Sequence, residues 1–170
     1  MITMATGPRY KVPFRRRREG RTDYRHRAAL LRGKLPRAVV RKSNRNITVQ
    51  LVTYDDKGDK VLASAVSTEL ADMGWSKSGK STPGAYLTGL LAGKRAAEKG
   101  LETAVLDIGL REPVKGALIF AALKGLVDAG LDIPHSDKMF PSDDRVAGKH
   151  MKDAAAMFAE AKKKIGGAEE

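Results

Sequence analysis

The sequence predicts an α/β domain: a mixed sheet with an antiparallel meander followed by β-α units, a basic extended N-terminal arm and a C-terminal helix. Three observations predict it. Apolar residues alternate with period two between residues 38 and 66, and they recur at helical spacing from about residue 86. Strands followed by strand–helix alternation indicate an α/β sheet with an antiparallel portion. Positive charge is concentrated at one end. We therefore divide the chain into a basic arm (1–21), an α/β domain (22–142), and a C-terminal helix and tail (143–170).

The positive charge lies almost entirely in the first 45 residues. Fifteen of the 32 lysines and arginines lie there against two acids, Glu19 and Asp23, and the other 125 residues are nearly neutral. Like charges at this density repel one another unless a polyanion neutralises them. Arginine predominates, and its planar guanidinium pairs bidentately with phosphate and stacks on bases. The segment therefore predicts a nucleic-acid partner.

Composition excludes several other classes of protein. The 42% hydrophobic content excludes global disorder, and the absence of cysteine excludes disulfides and thiolate zinc sites. Three scattered histidines and no long apolar run predict no metal, no cofactor and no membrane span. A transit peptide is an alternative for an arginine-rich start, but clustered arginines with Pro8 and Pro13 fit it poorly.

The N-terminal third is predicted to consist of an arm, then a short helix, then the start of the sheet. Residues 5–21 have no apolar periodicity, so we expect an extended arm that orders on its partner. Thr22 is expected to cap a short helix over residues 23–33, with Asp23 in its first turn and Gly33 at its end.

A three-stranded antiparallel meander is predicted next. Residues 38–42 and 47–54 alternate as strands and are joined by the polar turn 43–46. A second turn, 55–59, leads into the strand 60–66.

Helical spacing then takes over. Apolar residues between 86 and 97 mark a helix that Gly100 ends, and 103–108 is a short apolar run predicted as a buried strand. A second helix is expected to begin at Pro113, with Val114 facing the core.

The C-terminal part is predicted to contain one long helix. Gly130 follows the preceding helix, and a polar loop, 132–142, leads into the last helix, 143–165. Asp143 and Asp144 are expected to cap that helix.

Residues 74–81 match the phosphate-binding pattern G-x-x-x-x-G-K-[ST], with Lys80 suited to phosphates and Ser81 to a metal. Asp107, at a strand end, could supply the second metal contact of such a site. The motif requires a strand directly before its first glycine and a helix that opens at its lysine. Here the nearest strand is predicted to end near residue 66, and Pro83 follows the motif. We therefore favour a flexible Gly/Ser loop over a nucleotide hydrolase.

The remaining candidates do not form a set of nucleophile, base and orienting group. Asp107 is more typical of a loop or helix-cap anchor than of a catalyst. His135 either contacts RNA or is simply exposed, and Trp75 either stacks at an interface or packs in the domain.

Several long strings resemble one family, the 5S-rRNA-binding proteins of the large ribosomal subunit. This is universal large-subunit protein eighteen in its archaeal form, related to eukaryotic large-subunit protein five. The resemblance covers nearly all of residues 5–151 and is carried by residues 15–24 (RRRREGRTDY), 39–44 (VVRKSN), 59–65 (DKVLASA), 85–93 (AYLTGLLAG), 104–110 (AVLDIGL), 132–136 (DIPHS) and 141–145 (PSDDR).

The resemblance implies a non-enzymatic protein of the cytoplasmic ribosome. It would bind 5S rRNA and seat it in the central protuberance, touching large-subunit rRNA and neighbouring large-subunit ribosomal proteins. The family fold is an α/β sandwich. The RNA-binding candidates carried over by position lie in the arm, the first helix and the first hairpin: Arg9, Lys11, Arg15, Arg16, Arg17, Arg18, Arg21, Tyr24, Arg25, Arg27, Arg41, Lys42, Ser43, Asn44 and Arg45. A generic nucleic-acid chaperone with a basic arm is the alternative, and it would bind tRNA or DNA equally well.

Overall fold

Four strands form one mixed sheet in the computed structural model, which describes residues 7–166. They are β1 (Arg37–Lys42), β2 (Ile47–Thr53), β3 (Lys60–Val66) and β4 (Val105–Asp107). The order across the sheet is β3-β2-β1-β4, with β1, β2 and β3 antiparallel and β4 parallel to β1. The predicted mixed sheet with its antiparallel meander is therefore confirmed.

Six helices and two short 3-10 helices, Ser67–Ala71 and Asp137–Met139, complete the described chain. The helices are α1 (Arg15–Arg18), α2 (Tyr24–Arg32), α3 (Thr82–Ala97), α4 (Leu118–Asp128), α5 (Asp143–Val146) and α6 (Ala154–Gly166). Among residues 7–166, no helix has both the length and the apolar character that a membrane span requires.

The core lies between one face of the sheet and the α3–α4 pair. Alternation along the strands sends Ala38 and Val40 of β1, and Val49 and Leu51 of β2, into this core. The intervening residues, such as Val39, lie on the opposite face. The period-two pattern therefore separates a packed face from an open one.

α3 and α4 approach each other closely because glycines lie at their contact. A Cβ atom on Gly89 would lie 2.0 Å from the carbonyl oxygen of Ala122, and one on Gly125 would lie 2.2 Å from that of Tyr86. Only a residue without a side chain fits at either position.

The prediction of helix from Pro113 is wrong, because α4 begins at Leu118. Gly116 has φ +70°, which no right-handed helix accommodates, and its N–H donates to the carbonyl of Met139. Val114 is consequently exposed rather than core-facing.

The prediction of one continuous last helix is also wrong. Gly148 (φ +77°) and Asp153 (φ +59°) adopt left-handed conformations and separate α5 from α6. Ser142 occupies the N-cap position of α5, whereas Asp143 and Asp144 lie in its first turn. Their charge still favours that helix end, although they are not its caps.

The start of α2 differs from the expectation in one residue. Asp23, not Thr22, is the N-cap, and its Oδ1 accepts the N–H groups of Arg25 at 2.8 Å and His26 at 3.1 Å. The Thr22 hydroxyl instead accepts a hydrogen bond from Arg16 Nε at 2.8 Å. Gly33 ends the helix as predicted.

The arm is not extended throughout. Arg15–Arg18 forms one helical turn, α1, because the Phe14 carbonyl accepts the N–H groups of Arg17 and Arg18. Residues 1–6 of the predicted arm and 167–170 of the predicted tail lie outside the described residues.

The P-loop alternative fails on geometry. A 3-10 helix, Ser67–Ala71, precedes Gly74 where the motif requires a strand. The Ser81 hydroxyl caps α3 by accepting the Gly84 N–H at 3.2 Å, and Trp75 is buried in the core. Of the two roles considered for Trp75, packing is therefore confirmed.

Candidate nucleic-acid interface

The open face of the sheet forms the floor of a wide groove. The groove has a volume of about 1130 Å³, with α2 along one wall and the loop after β4 along another. Its floor comprises the residues that alternate away from the core: Arg37, Val39, Arg41, Gln50, Val52 and Val61. The arm reaches the same groove through Arg16 and Arg21. The most basic part of the chain therefore adjoins the uncovered face of the sheet.

Five side chains of alternating charge cross this groove, in the order Arg27, Asp59, Arg37, Asp107, Arg41; we call them the ion-pair ladder. Arg27 holds both carboxylate oxygens of Asp59, at 2.7 and 2.9 Å. Arg37 bridges the two acids, 2.7 Å from Asp59 and 2.9 Å from Asp107. Arg41 lies 2.8 Å from the Asp107 carboxylate and 2.6 Å from its carbonyl oxygen. The ladder thus ties α2 to the turn before β3, to β1 and to β4.

Burial varies along the ladder. The side chains of Arg37 and Asp107 are 3% and 8% exposed, whereas Asp59 and Arg27 are each 30% exposed. Removing one partner from the inner pair would leave an uncompensated buried charge, which is strongly destabilising. The outer pair is closer to solvent and is accordingly weaker.

The ladder also changes the acidity of its carboxyl groups. Burial by itself raises the pKa of Asp107, but hydrogen bonds from Arg41, Gly109 and Arg37 outweigh it and leave that pKa below its usual range. The hydrogen bond from Arg27 is the main cause that lowers the pKa of Asp59. Both groups are therefore held as carboxylates at neutral pH.

Asp107 of the ladder holds the loop after β4 in place. Asp107 Oδ1 accepts the Gly109 N–H at 2.9 Å, so the interpretation of Asp107 as a loop anchor is confirmed. Gly109 has φ +68°, and a Cβ atom there would lie 3.1 Å from Arg41 Cζ. This turn presents Leu110, which is 57% exposed, at the edge of the groove.

Most predicted RNA-binding residues of the arm are exposed, and they differ in their partners. Glu19 lies 3.2 Å from Arg21 and 3.9 Å from Arg15. The remaining cations of the predicted set make no ion pair with any other residue between 7 and 166: Arg9, Lys11, Arg16, Arg17, Arg18, Arg25, Lys42 and Arg45. Arg27 and Arg41 instead belong to the ladder.

The first hairpin places three candidates at an exposed tip: Ser43, Asn44 and Arg45. The Ser43 hydroxyl holds the turn, because it accepts the Asn46 N–H at 2.9 Å and lies 3.0 Å from the Asn46 carbonyl oxygen. Asn44 and Arg45 remain at the tip with their side chains toward solvent.

Sequence reasoning missed Arg37 and Asp59 as parts of this surface. A local signal existed for Arg37, because strand alternation places it on the same face as Val39 and Arg41. Asp59 was assigned only to a turn. Its pairing joins parts of the chain that are distant in sequence, so no local pattern could reveal it.

Two further predictions concern metal and His135. In the stretch from residue 7 to residue 166, no group of three or more His, Cys, Asp or Glu side chains could hold a metal ion. His135 lies on an exposed loop, 2.6 Å from the carbonyl oxygen of Ile133 and 4.9 Å between ring centroids from Phe140. Its contact with RNA stays a prediction.

An open cationic groove with a basic arm suits an extended polyanion. Comparison with known proteins identifies a family to which the chain is similar. The family described as "Ribosomal large subunit proteins 60S L5, and 50S L18" matches residues 8–102 and 97–136. Large ribosomal subunit protein uL18 of Haloarcula marismortui is 56% identical over 148 residues, which cover 87% of this chain and 79% of the relative. The same protein of Methanococcoides burtonii is 55% identical over 148 residues, covering 87% of this chain and 86% of the relative.

The chain therefore belongs to the family of ribosomal large-subunit proteins that contains 60S L5 and 50S L18. Membership confirms the resemblance read from the sequence, including its archaeal character. It also confirms the prediction that this is a ribosomal protein of the large subunit, located in the cytoplasmic ribosome.

Proposed function

We propose that this protein binds 5S rRNA and attaches it to the large-subunit rRNA in the central protuberance. Its role is structural, and no step of chemistry is assigned to it. The observation that carries the proposal is the division of charge: unpaired cations of the arm and hairpin adjoin an open groove, while the rest of the chain is nearly neutral. Family membership supports the ribosomal setting.

The arm supplies affinity through phosphates. Each arginine that neutralises a phosphate releases condensed counterions, so binding is strong at low salt and weakens as salt rises. Arg9, Lys11, Arg17 and Arg18 are exposed and unpaired with other described residues, so they need break no existing ion pair to do this. Arg15, Arg16 and Arg21 lie beside them, with only weak or polar partners.

The folded groove supplies register. The ladder holds Arg27 and Arg41 in place before RNA arrives, and the side chain of Arg41 remains 46% exposed. A guanidinium has five N–H donors, so Arg41 can keep Asp107 and still donate to a phosphate. The paired arginines therefore position the RNA, whereas the unpaired ones attract it.

Specificity comes from shape and from unpaired nucleotides. Side chains cannot read the deep, narrow major groove of A-form helices, so proteins recognise these helices mostly by shape and read sequence in non-helical loops. Tyr24 of α2, and Asn44 and Arg45 at the hairpin tip, offer a ring, an amide and a guanidinium to such loops. Neighbouring large-subunit proteins would pack on the less charged faces of the domain.

A competition assay tests the proposal. Labelled 5S rRNA is bound to the whole chain at about 0.15 M salt, and unlabelled tRNA or 5S rRNA is added in excess. We expect 5S rRNA to displace the label at far lower concentration than tRNA. Equal displacement by both would contradict specific recognition and would favour a nucleic-acid chaperone that binds by charge alone.

A further inference from the structure

A smaller cleft of about 420 Å³ adjoins the main groove and shares with it Tyr24, the ring proposed above to meet unpaired nucleotides. Tyr24 and Leu110 give it apolar surface, and Arg17 and Arg25 also line it. Gly20 leaves one side of the cleft without a side chain. We propose that this cleft receives one unpaired nucleobase of the bound RNA, with Tyr24 as its stacking partner. The inference rests on the proposed function and names a recognition site within it.

The aromatic ring is held in place by its neighbours. Tyr24 is the first residue of α2, directly after the Asp23 cap, and its ring centroid lies 5.3 Å from that of Phe14. The two rings are inclined at 48°, a tilted arrangement that is favourable for aromatic pairs. Phe14 is 72% exposed, so its apolar area does not serve the core. It instead restricts the Tyr24 ring from one side.

Leu110 is held there by the ladder. Asp107 Oδ1 fixes the Gly109 N–H, and the Arg41 guanidinium packs against Gly109, so the turn that carries Leu110 is defined by ion pairs within the sheet. Leu110 is 57% exposed and is not part of the hydrophobic core. It does provide a second apolar surface for a flat ring.

Charge complementarity identifies the occupant. A nucleotide within a chain is a flat aromatic base flanked by two phosphates, and the lining of this cleft combines Tyr24 and Leu110 with the arginines Arg17 and Arg25. Asp23 also lines it, but its carboxylate accepts two backbone N–H groups of α2. The base must be unpaired, because a base within a duplex is already stacked on both faces.

The first test compares Tyr24→Leu with Tyr24→Phe on 5S rRNA. Leucine keeps apolar area but has no aromatic face, and loss of base–aromatic stacking typically weakens binding by about 5- to 150-fold. We expect that loss for Tyr24→Leu and near wild-type affinity for Tyr24→Phe. Neither change removes charge, so the slope of log affinity against log salt should stay constant. A changed slope would instead show that the arginines had moved, and would overturn the assignment to stacking.

The second test uses a matched pair of exposed aliphatic residues. Leu110 lines the cleft and is 57% exposed, whereas Val114 is 58% exposed and lies outside it. Leu110→Ala should weaken 5S rRNA binding and Val114→Ala should not. Thermal melting confirms that each variant is folded. Equal affinities for Leu110→Ala, Tyr24→Leu and the wild type would overturn the proposal and would leave the cleft for a protein partner.

A simple ligand separates this inference from the proposed function. Single-stranded oligoadenylate and a perfectly paired RNA duplex of equal length are bound to the wild type and to Tyr24→Leu. We expect the variant to lose affinity for the single strand only. This result is readable even if the whole chain fails to prefer 5S rRNA over tRNA, which would count against the proposed function alone. An equal loss on both ligands would contradict the base-binding cleft.

Discussion

The segment 7–33 and the helix α3 differ in burial and in the contacts that attach them to the domain. Every described residue of α1 and α2 is exposed or half-buried, and arginine is the commonest side chain there. α3 has thirteen buried residues among its 16. α2 has no buried residue and is joined to the domain by the pair Arg27–Asp59, whereas α3 packs through apolar side chains against α4 and the sheet.

Arginine itself divides along the same line. In the arm its charge is exposed and largely unpaired, whereas Arg37 is buried between two carboxylates. Burial fixes Arg37 as a structural group, while exposure leaves Arg17 or Arg18 able to meet phosphate. From this comparison we expect changes to the arm to affect RNA binding and changes to the core to affect stability.

The largest effect is expected from deleting residues 1–21. A protein that neutralises about 6–10 phosphates loses roughly 10³–10⁵ in affinity between 50 and 200 mM salt. The truncated chain should lose far less over that interval and should bind 5S rRNA weakly throughout. Its melting temperature should stay close to that of the whole chain, because the arm adds little to the core. If the truncated chain and the whole chain had the same slope of log affinity against log salt, the proposed role of the arm in binding would be contradicted.

Asp107→Ala should lower the free energy of unfolding by about 3–5 kcal/mol, because it leaves the buried Arg37 with one partner fewer and frees the 108–111 loop. Arg27→Ala is the matched control, since its side chain is 30% exposed, its one ion pair among the described residues is with Asp59, and that pair is worth about 1 kcal/mol or less. Denaturant titration measures both. Equal losses would contradict the larger contribution expected from the buried pair Arg37–Asp107.

Gly89→Ala should destabilise the domain by about 1–3 kcal/mol, because its methyl group would overlap the Ala122 carbonyl and force α3 from α4. Gly33→Ala is the control, since no atom lies within 4 Å of a Cβ there and its φ is −72°. RNA affinity of the Gly89 variant should persist at temperatures where it is folded. Stability unaffected by Gly89→Ala would contradict the close α3–α4 contact.

The smallest effect concerns acid. Asp59 and Asp107 have lowered pKa values in the folded state, so the stability they contribute is present above the unfolded pKa of about 3.9 and is lost as pH falls below it. Unfolding free energy measured from pH 7 down to 3 should therefore decline at the acid end. Asp107→Asn should make that decline shallower. An identical decline in both proteins would exclude Asp107 as its source.

Local patterns predicted the sheet well because the strands are consecutive. Alternation and turn residues define β1, β2 and β3 without reference to distant parts of the chain. The start of α4 and the break between α5 and α6 were missed because they depend on left-handed conformations at Gly116, Gly148 and Asp153. Glycine permits such a conformation without requiring it, and aspartate adopts it only occasionally.

The high arginine content of the candidate surface was predictable from the sequence, but the ion pairs among its residues were not. The concentration of arginine marks the arm directly in the sequence. That Arg27 and Arg41 would be ion-paired while Arg17 and Arg18 stay unpaired depends on contacts across the sheet, such as Arg41 with Asp107, 66 positions away. The resemblance to a known family nominated the RNA-binding candidates, and their contacts with RNA stay predictions.

Amide hydrogen exchange of the whole chain, with and without 5S rRNA, tests the central claim most directly. α1 and α2 have little buried surface, so their amides should exchange quickly in the free protein, and those of α3 slowly. The account predicts that 5S rRNA slows exchange in residues 7–33, at the hairpin tip 43–46 and in the 108–111 loop, and leaves α3 and α4 unchanged. Protection confined to α4, α5 and α6 would place the RNA on the opposite side of the molecule and would contradict the account.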